Sequence, residues 1–527
     1  MAQRRHNFIS GAAVLALAVA VTKVLGALYK IPLGNLLDKE GMAHFYAAYN
    51  IYNLLLVLST AGLPLALSRL VSRAAAQGRR NAQRRIFRTA LALLAVIGAV
   101  CSAVMCLFPQ VLSGLLHDSL AAPAIRTLGP AVLFVCLTSA IRGYTQGLGD
   151  MTPTAVSQMT ESAGKLVIGL ALCLVLLHRG ADSSLCAAGA IAGVTAGSLL
   201  SLTVLTVFLL RRRDRAAVDV PPARSAVLRE LLTAGIPITL GAAGMSLITL
   251  LDQALVMSTL QNTLGYTEAA ATALYGEYTF GMTLFALPPS FIYPVTVSLV
   301  PDISAALARG DRPAAGRSAA AALKLTTLIA LPTGAGLSVL AGPILRLLYP
   351  AVPDTAAAAA YHLTILGIAC IFVCLMVATN GVLQAYGKEY IPVVTLLCGG
   401  ILKIITNYLM VGDPATNVRG APVSTLYCYG LIVVLNLIAI ARCVPERPSY
   451  LRLFARPVLI TAVMALAARS SYGLLARSLP ERWAVLPAIA VAVVVYGVLV
   501  LALGAVTRQD VLDLPKGEKI ARMLHLH

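Results

Sequence analysis

Between residues 8 and 506 the chain runs through about fourteen apolar stretches, each long enough to cross the hydrocarbon of a bilayer as a helix. They fall at roughly 8–36, 45–71, 87–116, 124–148, 153–178, 184–210, 228–260, 270–300, 318–348, 357–385, 390–411, 420–443, 453–476 and 484–506. Lipid offers backbone N–H and C=O groups no water to bond, so a spanning segment must satisfy them itself as a helix; barrel strands would be half as long and would alternate. The expected fold class is an all-α polytopic membrane protein. With 12% charged residues and a mean hydropathy of +0.83, no water-soluble class fits. Arg4 and Arg5 before the run from Phe8 to Val21, with Ala18-Val19-Ala20, imitate a secretory signal. The apolar pattern continues through Leu25, Leu28 and Ile31 to Leu37, longer than a signal core, so an uncleaved first helix is expected.

The chain also repeats itself. Gly143, Gln146, Gly149 and Lys165 recur as Gly381, Gln384, Gly387 and Lys403, each 238 positions on (381−143, 384−146, 387−149, 403−165). This divides the protein into a first six-helix lobe at 1–215, a second at 216–445, and a final helix pair with tail at 446–527; the break falls in the basic stretch 211–224, which holds Pro221 and Pro222. Duplicated bundles of this kind are transporter architecture, two halves rocking about a central cavity that the repeated polar residues are placed to line.

The formal charge of +19 does not point to nucleic acid, because the basic residues cluster between apolar spans. One set of alternate loops holds Arg73, Arg79, Arg80, Arg84, Arg85 and Arg88, then Arg211, Arg212, Arg213 and Arg215, with Arg224, Arg229, Arg309, Arg312, Arg317, Lys388, Arg442, Arg447, Arg452 and Arg456 following, and Lys516, Lys519 and Arg522 in the tail. The opposite set holds little beyond Lys39, Arg179, Arg419, Arg477 and Arg482. By the positive-inside rule both termini are expected to be cytoplasmic, which needs an even helix count. The ten cysteines form no CxxC pair, and Cys101, Cys136, Cys173, Cys370, Cys374, Cys398 and Cys428 lie inside apolar runs, so they are expected as small core residues, with neither a disulfide framework nor a metal site. Gly387-Lys388 lacks the glycine five positions earlier that closes a phosphate loop, and HExxH and GxSxG are absent. No catalytic residue, cofactor or ATP-driven step is expected.

Ionisable side chains inside a span are costly unless they face a polar interior, so each marks a site. They are Lys23, Arg142, Glu161, Lys165, Asp252, Glu277 and Lys403, with Lys30 nearer a helix end. Glu161 and Lys165 stand four apart with the acid first, which predicts an ion pair along one helical face. Arg142 shares a face with Gln146, and a guanidinium fork suits phosphate oxygens. Asn380 takes the place of Arg142 in the second half, leaving the first half more cationic. An asymmetric cationic cavity suits an anionic substrate, to be bound by Lys23, Arg142, Gln146, Lys165, Asn380, Gln384 and Lys403. Glu161, Asp252 and Glu277 then balance charge or bind a coupling cation, H+ or Na+. Gly143, Gly147 and Gly149 permit close helix contact and bending; Pro153 and Pro392 open helices; Pro64, Pro237, Pro288, Pro289 and Pro332 are expected to break or kink spans.

The segments from Gly62-Leu63-Pro64 to Leu70-Val71, Ala76-Gln77-Gly78, Arg142-Gly143-Tyr144-Thr145-Gln146-Gly147, Met151-Thr152-Pro153, Ser157 to Glu161, Leu274-Tyr275-Gly276 and Ser298 to Pro301 resemble the stage V sporulation protein B and YtgP group of polysaccharide biosynthesis proteins. That group belongs to the multidrug/oligosaccharidyl-lipid/polysaccharide (MOP) exporter superfamily, alongside MurJ lipid II flippases. The resemblance covers most of residues 8 to 445. It implies a fourteen-helix, two-lobed flippase for an undecaprenyl-diphosphate-linked saccharide such as a peptidoglycan precursor, serving growth or sporulation, with membrane lipids as further partners. It also gives Lys23, within Thr22-Lys23-Val24-Leu25-Gly26, the role of a basic residue important in MurJ. The chain departs from MurJ relatives in having no arginine in Asn53-Leu54-Leu55-Leu56-Val57-Leu58. A cation-coupled multidrug antiporter of the same superfamily is the alternative and would want an acidic site, for which Asp252 and Glu277 are available. A non-transporting scaffold for wall enzymes is a third.

Overall fold

The computed structural model describes residues 2–211, 219–444 and 450–505, with side chains except at 2–17, 20, 240–241, 293–302 and 452. Arg212, Arg213, Arg215, Arg447, Lys516, Lys519 and Arg522 lie outside the described residues, as do the side chains of Arg4, Arg5, Arg452 and Ser298 to Pro301. The described residues are helical, with no strand among them. By chain contacts they form two units, Met1–Thr279 with Val411–Val418, and Phe280–Met410 with Arg419–His527.

The first unit holds α1 (Ala2–Leu36), α2 (Lys39–Thr60), α3 (Leu63–Ala76), α4 (Arg80–Leu107), α5 (Pro109–Leu115), α6 (Ala122–Gly147), α7 (Thr152–His178), α8 (Ser183–Arg211), α9 (Arg224–Ser258) and most of α10 (Glu268–Phe285). The second holds the end of α10, then α11 (Leu287–Ala308), α12 (Arg312–Val339), α13 (Ala341–Leu348), α14 (Pro353–Ala385), α15 (Tyr390–Val411), α16 (Gly420–Cys443), α17 (Tyr450–Leu475) and α18 (Glu481–Ala502). Among the described residues, 12 segments are long and apolar enough to span a membrane. With α1 and the α10–α11 pair, which occupy the runs expected at 8–36 and 270–300, the number comes to about fourteen.

The proline expectations resolve individually. Pro64 opens α3 and so separates it from α2, and Pro288 and Pro289 begin α11 after α10 ends. Pro237 and Pro332 sit inside α9 and α12, which continue past them. Pro153 is in the first turn of α7, where its missing N–H costs nothing.

Gly143 and Gly147 let α6 lie directly on α3, since a Cβ on either would press on the carbonyl of Pro64 or Ser68. Tyr144 joins the same contact in a cluster with Leu67, Leu70 and Val71. The two motif blocks at 62–71 and 142–147 therefore pack on each other. Gly149 does something else: with φ +84 and open space around it, it ends α6 in the left-handed conformation. Gly387, φ +71, ends α14 in the same way. The bonds Gly149 N–H to Gln146 O and Asp150 N–H to Thr145 O are repeated as Gly387 to Gln384 and Lys388 to Leu383, so the sequence repeat is a repeated helix terminus.

In the second unit α12, α14, α16 and α17 meet over Ala319, Leu323, Val382, Leu383, Ile440 and Leu453. The final pair, α17 and α18, closes on α12 and α13 through Met464, Ala468 and Val485. Of the cysteines, Cys136, Cys173, Cys370, Cys374 and Cys428 are buried as expected, but Cys398 is exposed on α15 and Cys101 only half-buried, so those two are not core residues. All ten are free thiols.

Candidate anion site in the first unit

Arg142 projects from α6 into the junction with α7 and α8. Its Nε donates to Ser157 Oγ at 2.8 Å, and one terminal nitrogen donates to Glu161 Oε2 and to Ser201 Oγ, both at 3.0 Å. The side chains of the pair are 14% and 24% exposed. This corrects the expected Glu161–Lys165 pair. The i,i+4 rule considers one helix alone, but here the neighbouring α6 brings a planar fork that meets the carboxylate and two hydroxyls together, which an ammonium cannot match.

Lys165 turns instead to aromatic rings. Its Nζ is 3.3 Å from Tyr49 Oη, 5.0 Å from the centre of the Tyr49 ring and 5.3 Å from that of Tyr29. Lys30 reaches the same place from α1, 3.2 Å from Tyr46 Oη, 4.6 Å from the Tyr46 ring and 5.3 Å from the Tyr49 ring. Phe45 stacks on Tyr49 at 5.8 Å, and Tyr52 follows it at 5.8 Å. Tyr29 is fixed by its hydroxyl donating to Ala190 O at 2.8 Å. Two ammonium groups thus converge on Tyr49, held by cation–π attraction, and neither has a carboxylate within ion-pair distance among the described residues. Each has an aromatic or phenolic neighbour and N–H donors to spare, the condition for receiving an anion.

Lys30 did not enter the expected site. The signal for it was present: Phe45, Tyr46, Tyr49 and Tyr52 fall on one face of α2, and Lys30 lies seven residues, about 10.5 Å of helix, beyond Lys23. Lys23 itself is exposed on α1, with no ion pair among the described residues.

The other expected residues are distributed as follows. Gln146 donates to Thr154 Oγ1 at 3.3 Å. Glu277 pairs with Lys39 at 3.1 Å. Asp252 is buried on α9 beside Gln253, whose Oε1 accepts from Asn50 Nδ2 at 2.7 Å. A polar cleft of about 110 Å³ lies next to them, lined by Asn50, Asn53, Met245, Ser246 and Thr249. In the second unit Lys403 is buried and Gln384 exposed. Asn380 Oδ1 accepts from Asn436 Nδ2 at 2.8 Å, and Asn436 also bonds Thr379 and Thr395. Thr395 is the 238-offset counterpart of Ser157, and Gly399 that of Glu161. Where the first half ties its helices with an ion pair and two hydroxyls, the second uses two amides and two hydroxyls. No group of three or more His, Cys, Asp or Glu able to hold a metal occurs among the described residues.

The sequence profile of the polysaccharide biosynthesis protein family matches residues 8–307, more than half of the chain. The chain belongs to that family. The MatE profile matches 237–409. Three relatives from Bacillus subtilis (strain 168) align over most of both chains: the uncharacterized membrane protein YabM, 26% identical over 99% of this chain and 97% of its own; stage V sporulation protein B, 24% over 84% and 85%; and the lipid II flippase MurJ, 24% over 88% and 88%. Among solved structures, a lipid II flippase MurJ in an inward closed conformation superposes with a TM-score of 0.72 at 14% identity, over 93% of this chain and 98% of that one. An inward-facing multidrug resistance MATE family transporter of the MOP superfamily gives 0.64 at 15% identity, over 84% and 98%. The fold is thus that of MurJ and the MATE transporters, and the chain is a multi-pass membrane protein of the polysaccharide biosynthesis protein family.

Proposed function

We propose that the protein is a flippase that carries an undecaprenyl-diphosphate-linked saccharide, a peptidoglycan or other polysaccharide precursor, from the inner to the outer leaflet of a bacterial plasma membrane, with both termini cytoplasmic. The observation that carries this reading is the Lys30–Lys165 pair on its tyrosine platform, two cations with no carboxylate at ion-pair distance among the described residues. Charge-assisted bonds from both ammonium groups to diphosphate oxygens compensate for taking the head group out of water, while the lipid tail stays in the bilayer. Lys23, exposed on the same helix as Lys30, supplies a third positive charge along the path. Arg142 is occupied by Glu161, Ser157 and Ser201, so in this mechanism it holds α6, α7 and α8 together and does not touch cargo. Transport proceeds by alternating access, with direction supplied by differential affinity for the two states or by a coupling cation.

A drug antiporter needs free acid to attract a cationic substrate. Glu161 and Glu277 are committed to Arg142 and Lys39, which weighs against that alternative. The test is reconstitution with a fluorescent undecaprenyl-diphosphate saccharide. Lys30→Gln and Lys165→Gln should each slow flipping by at least about tenfold, the effect of losing one charge-assisted contact of about 1.5 kcal/mol. Unchanged flipping in both variants rules the reading out.

A further inference from the structure

At the end of the first unit whose loops carry few Lys or Arg, four elements are tied by polar bonds. His44 Nδ1 on α2 lies 2.7 Å from Asp118 Oδ1, in the loop after α5, with the two side chains 2% and 1% exposed. The other oxygen of Asp118 is buried with no hydrogen-bond partner. On one side, His117, a non-glycine residue at φ +54, accepts from Gln261 Nε2 through its carbonyl at 2.7 Å. On the other, Ser119 gives its N–H and its hydroxyl to Glu268 Oε1, at 2.5 and 2.6 Å. Lys39 at the start of α2 pairs with Glu277 of α10. The α2 terminus, the 117–121 loop, the 259–263 turn and α10 are held as one assembly.

Other charged groups surround the pair. Lys39 is balanced by Glu277, and Asp38 is engaged by Gly41 N–H and the Ser183 hydroxyl. Tyr275 on α10 lies within electrostatic reach of Asp118, of Asp252 on α9 and of Tyr46. The other titratable groups of this region are Glu40, one turn before His44 on α2, Asp252 on α9, Glu268, which accepts from Ser119, and His117. A carboxylate sealed from water with one oxygen unpartnered is expensive, and a neutral histidine beside it leaves the pair with a net charge of −1. One added proton, shared as imidazolium–carboxylate or as imidazole–carboxylic acid, makes the pair neutral.

We infer that His44 and Asp118 form a proton-binding site, and that this end of the transporter closes with the proton bound and opens as the pair is exposed and deprotonated. The site rests on the flippase reading only for the identity of the cargo. By the charge rule it faces the outer solution, so external acid favours the closed state.

The test is hydrogen–deuterium exchange on the full chain in lipid nanodiscs without cargo, with rates corrected for intrinsic pH dependence. Amides at 116–121 and 261–268 should gain about tenfold protection on acidification from about pH 8 to about pH 5. His44→Gln and Asp118→Asn should each abolish the dependence, and two variants keep the test available should one fail to fold. His117→Gln should retain it. Flat protection in the wild type, or an unchanged pH dependence in the His44 and Asp118 variants, overturns the inference. Flipping is read separately with lipid-linked saccharide. A protein that shows the pH-dependent protection yet moves no such lipid loses the flippase reading and keeps the proton site.

Discussion

Replacing Arg142 by alanine should unsettle the fold more than it affects cargo binding. The two bonds from Arg142 to Ser157 and Ser201 join α6 to α7 and α8, and interhelical hydrogen bonds in membranes are worth about 0.6 kcal/mol each. The third partner, Glu161, is three-quarters buried, and stranding its carboxylate adds about 2–3 kcal/mol. Together these give a loss of about 3–4 kcal/mol, close to the range for breaking a buried ion pair from one side. Denaturant unfolding in mixed micelles measures it. Arg142→Met with Glu161→Met should recover most of the loss, because the double variant leaves no unpaired charge. Arg142→Ala unfolding like the wild type while losing affinity for the lipid would refute the assignment and make Arg142 a ligand.

Two further predictions concern other ties. Asn436→Leu removes the amide that joins Asn380, Thr379 and Thr395, and should lower stability by about 1–2 kcal/mol in the same assay, less than Arg142→Ala because no charge is stranded. Asp219, in the linker between α8 and α9, accepts from the backbone N–H groups of Asn81 at 2.8 Å and Ala82 at 3.0 Å, at the start of α4. Partial desolvation pushes its carboxyl up, but those donors and Arg79 outweigh it and hold the group below the usual carboxylate range. The tether is therefore complete above the ordinary carboxylate value and is lost as pH falls through the lowered one. Protease cutting between α8 and α9 should rise only below roughly pH 4 in the wild type, and at neutral pH in Asp219→Ala.

The spans were legible because lipid makes a helix of any apolar run of sufficient length, whatever its neighbours. The 238-residue repeat was legible for a local reason too: Gly149 and Gly387 end their helices with the same pair of bonds, and such a terminus is written in the residues next to it. The polar ties were less so. Glu161 has a favourable partner four residues away on its own helix, yet α6 carries a better one, and only the packing of α6 on α7 reveals it. Lys30 stands nearer a helix end in the sequence, and only the packing of α1 on α2 brings the tyrosines against it. His44 and Asp118 are separated by 74 positions, and nothing local to either shows that they meet.

Binding of the head group to Lys30 and Lys165 tests the account most directly. Affinity for a soluble short-chain prenyl-diphosphate saccharide would be measured by calorimetry on the detergent-solubilised protein, for the wild type, Lys30→Gln, Lys165→Gln and Lys165→Arg. The account predicts at least about tenfold weaker binding for each glutamine variant at low salt, near-wild-type affinity for Lys165→Arg, and unchanged melting in all three. Equal affinity across the set, or a loss of affinity matched by a loss of folding, would contradict it.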